Sequence, residues 1–62
     1  MSAKDIVLTH PKQPGVTHIV EVAENGTSYA FDSREPEGFW LGGREAAKDH
    51  VALMRRQGWT CA

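Results

Sequence analysis

The sequence predicts a single small α+β domain over residues 1–62. Its expected architecture is a three-stranded antiparallel sheet packed against one C-terminal α-helix, βββα, with room for a short final strand. Three observations carry this reading. The turn pair Asn25-Gly26 separates two strand-rich runs. Apolar residues between positions 44 and 57 recur at helical spacing. Gly58 then stands where a helix is commonly stopped.

Taken in chain order, Lys4 to Thr9 contains Ile6-Val7-Leu8 and reads as a short strand. The stretch His10 to Gly15 holds two prolines and a glycine and reads as a loop. Val16–Glu24 and Thr27–Asp32 form the predicted hairpin. A two-residue type I′ loop at Asn25-Gly26 sets Glu24 opposite Thr27, Val22 opposite Tyr29 and Val20 opposite Phe31. In that register Val20, Val22, Tyr29 and Phe31 share a core face. Ile19, Glu21, Ala23, Ser28, Ala30 and Asp32 then form a solvated one. Asn25-Gly26-Thr27 also matches a glycosylation sequon, but turn chemistry accounts for these residues.

Ser33 to Glu37 reads as a loop or a single turn. Phe39-Trp40-Leu41 follows, between Gly38 and Gly42-Gly43. Three large apolar side chains in succession cannot all face inward from one strand or one helix face. Phe39 and Leu41 are expected to pack between sheet and helix while Trp40 turns outward. Arg44 to Gln57 is the helix: Ala46, Ala47, His50, Val51, Leu53, Met54 and Gln57 lie on one side, Arg44, Glu45, Lys48, Asp49, Ala52, Arg55 and Arg56 on the other. Gly43 at its start offers no capping oxygen. Trp59 to Ala62 is strand-like in composition, or returns Trp59 over the helix end. The expected core joins Val20, Val22, Tyr29 and Phe31 to Ala47, Val51 and Met54.

A chain of 62 residues buries only about 60% of its unfolded surface, so such domains often gain stability from a disulfide, a metal or another chain. An internal disulfide is impossible, because Cys61 is the only cysteine; a reduced thiol is expected. Formal net charge is −1, without the basic surplus that attracts nucleic acid generally. The apolar runs fall far short of the roughly 20 residues of a membrane span, and Met1 to Asp5 shows no leader pattern. A cytoplasmic, complete short gene product is the default expectation.

No assembled chemistry stands out. His10, His18 and His50 lack metal-ligand spacing, also when Cys61 is added, so neither metal nor cofactor is expected. His50 lies on the apolar side of the helix and reads as a packed ring hydrogen-bonded to a carbonyl or water, with Asp49 poorly placed to orient it. Ser28, Ser33 and Cys61 sit in no nucleophile signature. A domain of this size also struggles to enclose a substrate cavity of about 300 Å³. The chain is expected not to be an enzyme.

The expectation is instead a non-enzymatic protein-binding module, acting as inhibitor, adaptor or regulator of a larger protein. Accessory proteins of phage and mobile elements, anti-CRISPR proteins among them, share this size and plainness. The partner-binding residues would be Phe39, Trp40 and Leu41, with Glu35 and Glu37 as an acidic rim. An exposed edge strand such as Thr27–Asp32 offers a second means of pairing, and a homodimer is compatible with either surface. The alternative is a nucleic-acid-binding module using the basic strip Arg44, Lys48, Arg55 and Arg56. Its outline is similar, in architecture alone, to the arm-binding domains of phage integrases.

Overall fold

Five connections, the longest of them the loop 10–16, fold residues 4–61, the part described by the computed structural model, into five strands and one helix. Residues 1–3 and 62 lie outside the described residues, and with them most of the N-terminal stretch read for a leader. The strands are β1 (Lys4–Thr9), β2 (Thr17–Val22), β3 (Ser28–Asp32), β4 (Glu35–Gly42) and β5 (Thr60–Cys61). The helix α1 (Arg44–Arg56) stands between β4 and β5. All neighbours in the sheet are antiparallel, in the order β4-β3-β2-β1-β5.

The α+β class therefore holds, but the sheet has five strands where three were expected. The short final strand is β5. The additional long one is β4, which begins at Glu35 inside the segment read as a loop. Glu35-Pro36-Glu37 carries no strand signal of its own. Pro36 is tolerated because β4 is an edge strand. The same order makes β3 an interior strand, so Thr27–Asp32 is not an edge.

The β2–β3 hairpin forms, with a register one residue away from the expected one. Val22 faces Ser28, Glu21 faces Tyr29, Val20 faces Ala30 and Ile19 faces Phe31. Gly26 N–H donates to the Ala23 carbonyl at 2.9 Å, and Ala23 N–H to that of Thr27 at 2.8 Å. The loop is thus the three residues Glu24, Asn25 and Gly26. Only Gly26 among them has positive φ, at 91°, whereas a type I′ turn would need it at Asn25 as well. A shift of one residue reverses the face of every side chain on the partner strand. Tyr29 and Phe31 accordingly leave the expected core. Ser28 and Ala30, expected in solvent, become fully buried.

The core lies between α1 and one sheet face. It is built from Leu8, Val20, Ala30, Ala47, Met54 and Trp59, with the polar His18 and Ser28 buried among them. Small residues on the sheet let the helix start approach closely. The Ser28 hydroxyl, on β3, reaches the carbonyls of Gly43 at 2.9 Å and Gly42 at 3.1 Å, tying that strand to the junction of β4 and α1.

The helix starts at Gly43 without a side-chain cap, as expected. It ends one residue earlier than read, in a Schellman arrangement. Trp59 N–H donates to Met54 and Gly58 N–H to Arg55, both at 3.1 Å. Gly58 adopts the positive φ of 102° that this ending requires. The chain then drops Trp59 onto Leu8 and Met54. His10 secures the same end, its Nε2 standing 3.0 Å from the Gln57 carbonyl.

Candidate functional site

Two constellations stand out, one polar and partly buried, the other apolar and exposed. The polar one begins on β2. Alternation along this strand sends His18 to the helix side with Val20 and Val22. Helical phase puts His50 on the sheet-facing side of α1. The two rings meet with Nε2 atoms 2.9 Å apart and centroids at 5.1 Å.

His18 Nδ1 lies 3.3 Å from Asp32 Oδ2, its cross-strand neighbour on β3. Arg34 clasps that carboxylate: Nε and the backbone N–H each donate to Oδ1 at 2.9 Å, and a terminal nitrogen to Oδ2 at 3.0 Å. The Arg34 hydrogen bonds hold the Asp32 carboxyl well below the usual carboxylate range, against the opposing effect of burial. Ionised Asp32 accepts from His18 Nδ1–H. When both rings are neutral, His18 Nε2 offers a lone pair to which His50 Nε2–H donates. Burial, and secondarily the charge His18 can carry, push the His50 pKa down.

Arg34, Asp32, His18 and His50 therefore form one continuous run of polar contacts from the β3–β4 turn to the helix. The cavity next to it, lined by His18, Asp32, Arg34 and Phe39 among others, has a volume of about 140 Å³. That is below the roughly 300 Å³ at which substrate pockets begin. Neither His10 nor Cys61 joins the pair: His10 serves the helix end, and Cys61 is exposed on β5. Among the described residues no three His, Cys, Asp or Glu side chains gather as a metal-binding set.

Sequence reading placed His50 on the apolar side of the helix but supplied the wrong partner for it. Its nitrogen meets His18, 32 positions away, instead of a carbonyl or water. A signal was present: His18 has the same strand parity as Val20 and Val22, which marks it as core-facing.

The apolar constellation occupies the opposite sheet face, which no helix covers. Val7, Ile19 and Phe31 lie directly across from one another on β1, β2 and β3. In the next row Asp5 faces Glu21, Glu21 faces Tyr29, and Tyr29 faces Trp40. The open face thus combines aliphatic and aromatic groups with an acidic corner. Gly38 is required at its margin. The Phe31 ring occupies the place where a side chain on residue 38 would stand, and Gly38 has φ of 73°.

The structure places all five expected partner-binding residues on β4. Glu35 and Glu37 are exposed. Trp40 is 66% exposed opposite Tyr29. Phe39 lies on the helix side, opposite Ala30 and edge-on to His50 at 6.1 Å, and is still 55% exposed. It therefore does not close the core as expected. Leu41 sits in the bulge between Trp40 and Gly42 and is half-buried.

Of the basic residues, Arg44, Lys48 and Arg55 share one narrow stripe of α1, within about 40° of arc. Arg56 lies farther round, beside Glu45 and Asp49. All four are exposed. Among the described residues no helix is long and apolar enough to cross a membrane.

In class, the protein is an open-faced α+β sandwich, one helix on one side of an antiparallel sheet. No protein-family model matches this chain, and neither does any curated protein or solved structure.

Proposed function

We propose that this chain is a non-enzymatic protein-binding module that docks a larger partner onto the open face of its sheet. Trp40 is the central anchor. The observation that carries the reading is the pairing of Trp40 with Tyr29 beside the row Val7-Ile19-Phe31, on a face that α1 leaves bare. Contiguous apolar surface of this kind, rimmed by polar groups, is typical of interaction sites. Trp and Tyr are also the side chains most enriched among binding hot spots.

The acidic residues Asp5 and Glu21, in one row with Tyr29 and Trp40, set the chemistry of the partner, whereas Glu35 pairs with Asp32 and lines the cavity beside His18 on the helix side. The partner presents an apolar hollow with a basic rim. The edge of β4 supplies a second means of attachment through strand pairing. Inhibition, adaptation or regulation of the larger protein follows from occupying its surface, without turnover.

Affinity capture with the whole immobilised chain tests this reading, wild type against Trp40→Ala and Tyr29→Ser at equal loading. A protein retained by the wild type should bind Trp40→Ala roughly 30-fold more weakly, the effect of losing a hot spot of about 2 kcal/mol. Retention of no protein, or equal retention by all three forms, would overturn the proposal.

A further inference from the structure

We infer that the chain carries a second docking site, on the other side of the sheet, for an acidic amphipathic segment of a partner protein. A five-stranded sheet is about 19 Å wide at ~4.8 Å per strand, and a helix covers only about 10 Å of it. Here α1 lies over β2, β3 and β4. Toward β5 the remaining gap is closed by Trp59 resting on Leu8. At the opposite end of β1 nothing among the described residues does the same. A groove of about 740 Å³ remains there, with Ile6, Val22 and Val51 forming its apolar floor.

Its lip is cationic. Arg44, Lys48 and Arg55 line it, and their common stripe runs about 16 Å along the helix at 1.5 Å per residue. Arg44 is steadied at one end, where its guanidinium donates to the Glu24 carbonyl at 3.3 Å. Among the described residues Glu24 is the single acid lining the groove. Glu45 and Asp49 lie roughly 100° farther round α1 and face away from it. Among the described residues the ion pair of this stripe is Lys48 with Glu45, 4.0 Å long with both side chains exposed, which leaves Lys48 largely available.

The occupant follows from combining lip and floor. One small carboxylate would use one cation and leave the rest of the stripe idle. Phosphates of a nucleic acid would meet the cations but have nothing to place on Ile6, Val22 and Val51. A peptide segment that interleaves Asp or Glu with aliphatic or aromatic residues satisfies both, in the manner of an amphipathic helix laid in a groove.

The test is selection of a random-peptide library on the whole chain, followed by titration of the enriched peptides into isotope-labelled protein. The enriched sequences should carry apolar residues at i, i+3, i+4 and i+7 with acidic residues between them, and should shift the methyl resonances of Ile6, Val22 and Val51. Reversing the stripe with Arg44→Glu, Lys48→Glu and Arg55→Glu should weaken binding about tenfold, the scale expected from losing three exposed rim pairs. Trp40→Ala should leave it unchanged, which separates this site from the open face. Circular dichroism checks that the exposed substitutions preserve the helix; if the triple reversal unfolds, Lys48→Gln with Arg55→Gln takes its place. Absence of enrichment, peptides without acids, shifts elsewhere, undiminished binding by the reversed stripe, or a duplex DNA bound there in preference to any peptide would each overturn the inference.

Discussion

His18 and His50, 32 positions apart in sequence, face each other Nε2 to Nε2 at 2.9 Å across the interface of sheet and helix. A neutral pair makes this N–H···N bond, with Asp32 holding the other side of His18. When both rings are protonated, two donors oppose each other and the bond is lost.

The pair makes stability depend on pH. Burial lowers the pKa of His50 in the folded chain, so the unfolded chain takes up that proton first. The contribution is fully present above the unfolded value of about 6.5 and is lost as pH falls from there through the lowered folded value. Asp32, held low mainly by Arg34, adds a second loss at more acid pH, beginning below about 4. Urea midpoints should fall between pH 7.5 and 5.5 in the wild type and fall less in His50→Leu. A wild-type midpoint that is flat over this range would exclude the assigned proton arrangement.

The register is tested by a pair of substitutions on β3. Tyr29 is on the open face, so Tyr29→Ser should cost less than about 1 kcal/mol. Ala30 is fully buried beneath α1, and Ala30→Leu should cost about 1–3 kcal/mol by overpacking. Chemical denaturation measures both. The reverse order would indicate the register with Tyr29 in the core.

Replacing Gly38 by alanine combines two penalties, a positive φ and a methyl group directed into the Phe31 ring, with the Ala30 carbonyl 2.9 Å away. The expected loss is about 2–3 kcal/mol in urea unfolding. Gly43→Ala has open space around it and should cost little. Equal effects at the two positions would contradict the packing of Phe31 over β4.

The two tryptophans should differ in fluorescence. Trp59 is 6% exposed and Trp40 is 66% exposed. In Trp59→Phe, the remaining Trp40 emission should be red-shifted and strongly quenched by acrylamide. In Trp40→Phe, the remaining Trp59 emission should be blue-shifted and protected. Similar quenching in the two variants would show that Trp40 is not free to meet a partner.

Local chemistry wrote the hairpin at Asn25-Gly26, the helix from Arg44 and its end at Gly58 into the chain. Each depends on neighbours a few residues away: a positive-φ glycine, an apolar stripe of period 3.6, a left-handed stop. Strand β4 was less legible, because Glu35-Pro36-Glu37 has no strand character and is extended by pairing with β3. The candidate surfaces were visible as residues but not as arrangements. Trp40, Glu35 and Glu37 could be picked out, as could Arg44, Lys48 and Arg55. The bare sheet face and the groove that give them context could not.

Tertiary structure decided the parity of the sheet. Asn25-Gly26 accommodates a two-residue or a three-residue loop, and one residue of difference exchanges Tyr29 and Phe31 for Ser28 and Ala30 beneath the helix. Packing makes that choice. The start of α1 comes close to β3 and β4, where the Ser28 hydroxyl binds the Gly42 and Gly43 carbonyls and a Cβ on Gly42 would stand 3.0 Å from that of Ala46. A large ring has no place in that space. The two aromatic rings consequently turn to the bare side. That outcome depends on contacts between segments far apart in the chain, which no local pattern encodes, whereas the parity of His18 with Val20 and Val22 was legible on β2.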